Sequence, residues 1–241
     1  MGGTYSGPGV NSTTGYFNPS IAGVGVKTIS YSYQNIYSCS DSKTRTITVQ
    51  PSPSFTCGGL LTDIRDGKSY PTVLLGTQCW MQKNLDYGSA ISAVNHQKDN
   101  CLAEKYCYND MASNCSLYGG LYQWDEVMQF MDTPAQQGLC PAGWHIPTHA
   151  EWLTLFNYYQ GQGMAGKPIQ DTIINGFMAK ESGVNYSNAS WKFQGFGAIF
   201  WSSTPSGTYK AVSHGVNVIN FSVSDYYASR SNAFGVRCLH D

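Results

Sequence analysis

The chain has 241 residues, with 14 Lys and Arg against 15 Asp and Glu, and it is 41% hydrophobic, 14% aromatic and only 12% charged. The net charge of -1 leaves no surplus of cations for a nucleic-acid partner, and so many aromatics with so few charges exclude a disordered chain. No apolar run reaches the roughly 20 residues that span a bilayer, so no membrane insertion is expected, and the length suits one large domain or two small ones.

The opening MGGTYS fits a myristoylation pattern, yet the eight cysteines indicate disulfides and an oxidising compartment, so Met1 is read as an artificial start. Within residues 1–50, VKTISYSY and TRTITVQ alternate and are rich in β-branched residues, which predicts strands. A full immunoglobulin-type sandwich takes about seven strands and roughly 100 residues, so residues 1–50 read as a partial all-β Ig-like domain. The prolines of QPSPSFTC predict a semi-rigid linker over 51–56, with a second domain over 57–241.

LTDIRDGKSYPTVLLG predicts two short strands joined at Asp66-Gly67. Asp63 and Asp66 belong to that turn, because the spaced oxygen ligands of a calcium loop are missing. The cysteines stand at 39, 57, 79, 101, 107, 115, 140 and 238, none in the C-x-x-C spacing of a zinc site. Cys107 and Cys115 bracket a loop short enough to staple, and Cys140 and Cys238 suit a bridge from the chain's end to its middle.

In LYQWDEVMQFM, Trp124, Val127, Met128 and Met131 recur at helical spacing and predict a buried stripe. Asp125 and Glu126 point in different directions there and read as an exposed, solvated pair. PTHAEWLTLFNYYQG predicts a second helix with a capping box of Thr148 and Glu151, a stripe of Trp152, Leu155, Phe156 and Tyr159, and a stop at Gly161. His145 and His149 are four apart, but Pro147 and the cap put His145 outside the helix, so no metal site is expected. From Gly195 onward, GFGAIFWSS, VNVINFSVS and AFGVRCL predict strands. Ile219, Phe221 and Val223 then face inward, with Asn220, Ser222 and Ser224 outward. Phe234, Val236 and Cys238 repeat the alternation.

GYFNPSIAGVGV and ISYSYQNIYSC resemble Ig-like repeats of large bacterial surface proteins. From residue 57 to the end, TDIRDGKSYPTVLLGTQCWMQKNLDYG, YGGLYQWDEVM, GLCPAGWHIPTHAEWLTL, FWSST and FGVRCLHD resemble, in order, the FISUMP domain, the major paralogous domain of fibrobacters. That resemblance implies an α+β, C-type-lectin-like fold: two helices packed on small twisted antiparallel sheets. HIPTHAEW and FGVRC also resemble formylglycine-generating enzymes. Those oxidise a substrate cysteine with a copper-held cysteine pair, of which only Cys238 has a counterpart here. The calcium-binding motifs of true lectins are missing, and no nucleophile or nucleotide motif appears.

The sequence thus predicts an extracellular or cell-surface recognition module, bacterial or phage-encoded, that needs no cofactor and no metal and is not an enzyme. Its partner is an unknown protein or glycan. The expected contact residues are Tyr209, His214, Asn217, Asn220, Ser222, Ser224, Asp225, Tyr226, Tyr227, Ser229 and Asn232, a mixture typical of adaptable binding loops. The FISUMP resemblance also implies a variable protein of a diversity-generating retroelement, with Gly207 to Asn232 as its variable block. The alternatives are a formylglycine-generating-type oxidase, or a decayed relative of one, and a structural surface domain without a ligand.

Overall fold

The computed structural model describes residues 2–34, 37, 39–50, 55–170, 176–187, 189–217 and 219–241. Met1 and positions 51–54 of the expected linker lie outside them. The chain divides into two compact units, Met1–Ser54 and Phe55–Asp241.

In the first unit, β1 (Thr4–Ser6), β2 (Gly25–Gln34) and β3 (Ser40–Val49) form an antiparallel sheet in that order, with a single helical turn, α1 (Pro19–Ala22), between β1 and β2. The β-branched alternation of VKTISYSY and TRTITVQ forms the long pair, with Val26 opposite Thr48 and Ile29 opposite Arg45.

The second unit opens with β4 (Leu60–Thr62), β5 (Ser69–Leu75), β6 (Gln78–Met81), β7 (Ser89–Ala90), β8 (Glu104–Lys105), α2 (Ala112–Tyr118), β9 (Tyr122–Gln123) and α3 (Trp124–Val127). It continues with β10 (Trp144–His145), α4 (His149–Tyr158), α5 (Gln162–Gln170), β11 (Ser182–Tyr186), β12 (Ser190–Gln194) and β13 (Gly197–Pro205). The last elements are β14 (Lys210–Asn217), β15 (Val223–Ser229), β16 (Ala233–Phe234) and β17 (Leu239–His240). One sheet runs β10-β17-β6-β5-β4, and a second runs β15-β14-β13-β11-β16-β9 with β12 added on β11. The unit is therefore α+β, and the chain's last strand lies beside one of the unit's first.

The Asp66-Gly67 turn joins β4 to β5, with Thr62 opposite Ser69 and Gly67 at φ 75°. Asp63 serves the turn: its carboxylate accepts from the backbone N–H of Arg65 at 3.0 Å and from the Arg65 guanidinium at 2.8 and 2.6 Å. Burial alone would raise its pKa, but these bonds and the Arg65 charge outweigh burial and hold the carboxyl below its usual value.

Helix α4 carries the expected capping box, in which the Thr148 hydroxyl accepts from Glu151 N–H and the Glu151 carboxylate accepts from Thr148 N–H. Trp152, Leu155 and Phe156 are buried, and Gly161 N–H returns to the Phe156 carbonyl at 2.8 Å. The helix expected over LYQWDEVMQFM is shorter. It stops at Val127, Gln129 and Phe130 take left-handed φ of 51° and 58°, and Met131 is exposed rather than part of the stripe. Helices α2 and α5 were not expected: the first begins inside the Cys107–Cys115 loop and runs past it to Tyr118, and the second contains Pro168 and two glycines.

The large sheet buries both faces, because successive residues point opposite ways. Phe200, Val216 and Val223 pack with Trp80, Trp152 and Phe177 under α4 and α5, whereas Trp201 and Ala211 pack with Trp124, Trp144 and Phe234. Cys107–Cys115 and Cys140–Cys238 form the two expected disulfides, and Cys57–Cys79 forms a third. Such bridges fit an oxidising compartment. Among the described residues no helix is long and apolar enough to cross a membrane.

Candidate functional site

The segment expected to form one strand over VNVINFSVS is two strands and a turn. β14 ends at Asn217 and β15 begins at Val223. The reason is local chemistry. Asn217 Oδ1 accepts from the N–H groups of Ile219 and Asn220 at 2.8 and 3.3 Å, and Asn220 Oδ1 accepts from Ser222 N–H at 3.1 Å and its hydroxyl at 2.7 Å. Such side chains offer the backbone an alternative to the sheet ladder. Ile219 and Phe221 are consequently exposed, contrary to expectation, and only Val223 of the predicted inward trio is buried.

β15 is the edge of the large sheet. Val212 stands opposite Tyr227 and His214 opposite Asp225, on the face covered by α4 and α5, while Ser213 stands opposite Tyr226 and Gly215 opposite Ser224 on the other face. Tyr226 and Tyr227 therefore point to opposite faces of one edge strand, rather than sharing a single outward one. Tyr209 lies in the turn before β14 at 80% exposure, Tyr227 is 63% exposed and Tyr226 47%.

His214 corrects a second expectation. It is fully buried, at 0% exposure, against Trp152 and Phe156. Its Nδ1 lies 2.8 Å from Asp225 Oδ1 and its Nε2 lies 3.4 Å from His149 Nδ1, and Gln162 donates to the same Asp225 oxygen at 2.7 Å. With its proton on Nδ1, His214 donates to Asp225 and accepts from His149. Burial drives its pKa down to about 4 against the pull of Asp225, so the ring stays neutral at ordinary pH. His145 sits elsewhere, between Asp241 at 2.7 Å and Glu151 at 3.0 Å, where it ties the chain end to α4.

The remaining predicted residues divide by what their side chains already do. Asn217, Asn220 and Ser222 build the turn, and Asp225 holds His214. Ser229 pairs with the Ser231 hydroxyl at 2.8 Å, and Asn232 accepts from Ser187 N–H at 3.3 Å. Tyr209, Tyr226 and Tyr227 have their rings turned to solvent. Arg230 supports the hairpin from below. It stacks on Trp124 at 4.1 Å, donates to Asp132 at 2.6 Å, and its backbone N–H donates to the Tyr209 carbonyl at 3.0 Å.

Residues 73–240 match the Fibrobacter succinogenes major domain. The chain belongs to that family. No curated protein and no solved structure matches it. The match covers every strand of the large sheet and all of the hairpin, but begins after β4 and the Asp66-Gly67 turn.

Sequence reasoning also misplaced Glu126. Asp125 is half-buried beside Arg230, but Glu126 is buried, with Oε1 accepting from Glu104 N–H at 2.8 Å and Oε2 without a partner among the described residues. Burial, aided by the charges of Glu104 and Asp99, lifts its pKa to about 7 even against that hydrogen bond. The signal available was its place one residue before Val127, on the shoulder of the apolar stripe.

Proposed function

We propose that the second unit is a non-enzymatic recognition module, displayed outside the cell by a bacterium or its phage, that binds a protein or glycan through the hairpin β14–β15 and its turns. The observation that carries this reading is the exposure of Tyr209, Tyr226 and Tyr227 on a hairpin whose neighbouring His214, Val216, Val223 and Asp225 are engaged in the fold. Tyrosine offers a large amphipathic contact area with few rotamers to freeze. Because Tyr226 and Tyr227 flank one edge strand, a partner that touches both has to reach around that edge. Phe221 and Ile219 extend the apolar surface at the turn between the strands.

The finer reading is a C-type-lectin-like fold used as a variable protein. Its supports are helices on largely antiparallel sheets, the closing strand β17 beside β6, and the position of residues 207–232 just before the last strands. Diversification of this block would spare His214, Val216 and Val223, whose burial forbids exchange, and concentrate at Tyr209, Asn217, Asn220, Ser222, Ser224, Tyr226, Tyr227, Ser229 and Asn232. The oxidase alternative needs a reactive thiol at Cys238, but that sulfur is buried and bridged to Cys140.

Binding of the full chain to glycan and surface-protein arrays tests the proposal. The variant Tyr209→Ala/Tyr226→Ala/Tyr227→Ala is expected to keep its melting temperature and lose every ligand that the natural chain retains. Equal binding by both would overturn the hairpin assignment, and no ligand for either would favour a purely structural surface domain.

A further inference from the structure

A cavity of about 270 Å³ opens in the second unit, away from the residues of the hairpin, between the β4–β5 turn, the segment after β6 and the C-terminal end of α2. Its lining reverses the charge balance of the chain. Lys68, Lys83, Lys180 and Arg237 border it with a single carboxylate, Asp86, whereas the whole molecule carries a net charge of -1. Asp86 is also already neutralised. It accepts from Lys68 at 2.8 Å and from Lys105 at 2.5 Å, and Lys68 has Asp66 as a second partner at 3.5 Å.

Arg237 is the unusual member. Its side chain is buried, and no carboxylate pairs with it among the described residues. Its guanidinium donates to Asn84 Oδ1 at 2.6 Å and to the carbonyls of Met81, Phe177 and Met178 at 2.7 to 2.8 Å, which occupies most of its N–H groups and leaves its charge uncompensated. Burial presses its pKa down to about 9, so it stays cationic at neutral pH. A buried charge without a counter-ion is costly, and a ligand anion nearby relieves that cost. Lys83 is exposed at the rim and makes no hydrogen bond or ion pair among the described residues, and Lys180 makes one long contact, 3.4 Å, to the Leu117 carbonyl.

The carbonyl end of α2 works against an anion here. Two of its carbonyls are occupied, however, Tyr118 by Asn84 at 2.8 Å and Leu117 by Lys180. A helix of seven residues also carries only a small dipole. Three cations without a carboxylate partner among the described residues, Lys83, Lys180 and Arg237, outweigh it, and concave walls of low dielectric focus their field.

We propose that this cleft is a binding site for a small ligand bearing one oxyanion group, carboxylate or sulfate, on a body no larger than about a monosaccharide. Lys83 and Lys180 hold the anion at the rim, and Arg237, fixed by Asn84, supplies the field from the floor. The site stands independently of the hairpin.

Calorimetric titration of the full chain with galacturonate, galactose and inorganic sulfate tests this, alongside melting temperatures with each ligand. The expected result is binding of galacturonate, or of sulfate, but not of galactose, at least about tenfold weaker in Lys83→Ala/Lys180→Ala and weakened by added salt. Galacturonate without sulfate would identify a carboxylate site, and sulfate alone a site for sulfated ligands. Tyr209→Ala/Tyr226→Ala/Tyr227→Ala is expected to bind these anions unchanged, which separates this site from the hairpin. Absence of heat and of any melting shift up to about 10 mM, galactose binding as tightly as galacturonate, or equal binding by the lysine variant would overturn the proposal.

Discussion

Glu126 and His214 are buried titratable groups with opposite effects on stability. Between pH 4.5 and about 7 the folded chain keeps a proton on Glu126 that the unfolded chain has released, so this residue lowers stability as pH rises through that window. The full effect is up to about 3 kcal/mol. His214 acts in reverse: between pH 6.5 and about 4 the unfolded chain binds a proton that the folded chain refuses, so its contribution falls as pH drops. The two slopes oppose one another where the windows overlap. Urea unfolding across this range is therefore expected to show Glu126→Gln more stable than the natural chain above pH 7 and its advantage gone below pH 4.5. His214→Gln is expected to be destabilised throughout, through lost packing, but to lose less further stability than the natural chain on acidification. Neither burial was readable from the residue itself. Glu126 neighbours a half-buried aspartate on a short helix, and His214 sits between Ser213 and Gly215 on a strand whose burial depends on α4 arriving from elsewhere in the chain.

At the scale of elements, α4 was legible because its signals are local: an N-cap three residues before its glutamate, a stripe at helical spacing and a terminal glycine. Thr148→Ala is expected to cost about 1 kcal/mol in thermal or urea unfolding, since it removes the hydroxyl that receives Glu151 N–H. Helix α5 was not legible, because QGMAGKPIQ contains a proline and two glycines that disfavour a helix by propensity. Packing explains one of those glycines: a Cβ on Gly166 would overlap the carbonyl of Phe221, so only glycine lets the β14–β15 turn rest on α5. Gly166→Ala is expected to destabilise by about 1 to 3 kcal/mol despite its better helix propensity, whereas Gly163→Ala, with open space around it, is expected to be neutral or stabilising. The turn itself was hidden by a false alternation, in which Asn220 and Ser222 fell at outward strand positions while acting as turn formers.

For the whole molecule, the disulfides set the closure. Cys140–Cys238 spans 98 residues and Cys107–Cys115 spans 8. In the chain-entropy account, removing the first pair as a double alanine variant costs about 2 kcal/mol more than removing the second, which denaturant unfolding of the two variants measures. The motif order, the α+β class, the short Cys107–Cys115 staple and the family were legible in the sequence alone, because each rests on short spacings or residue types that survive without long-range contacts. The tertiary structure alone decided which face each residue presents. It set Tyr226 and Tyr227 on opposite sides of an edge strand and sealed His214 under α4. It also gathered Lys68, Lys83, Lys180 and Arg237 from distant parts of the chain around one cavity. Orientation and charge clustering depend on which elements meet, and no local pattern of residues encodes that meeting.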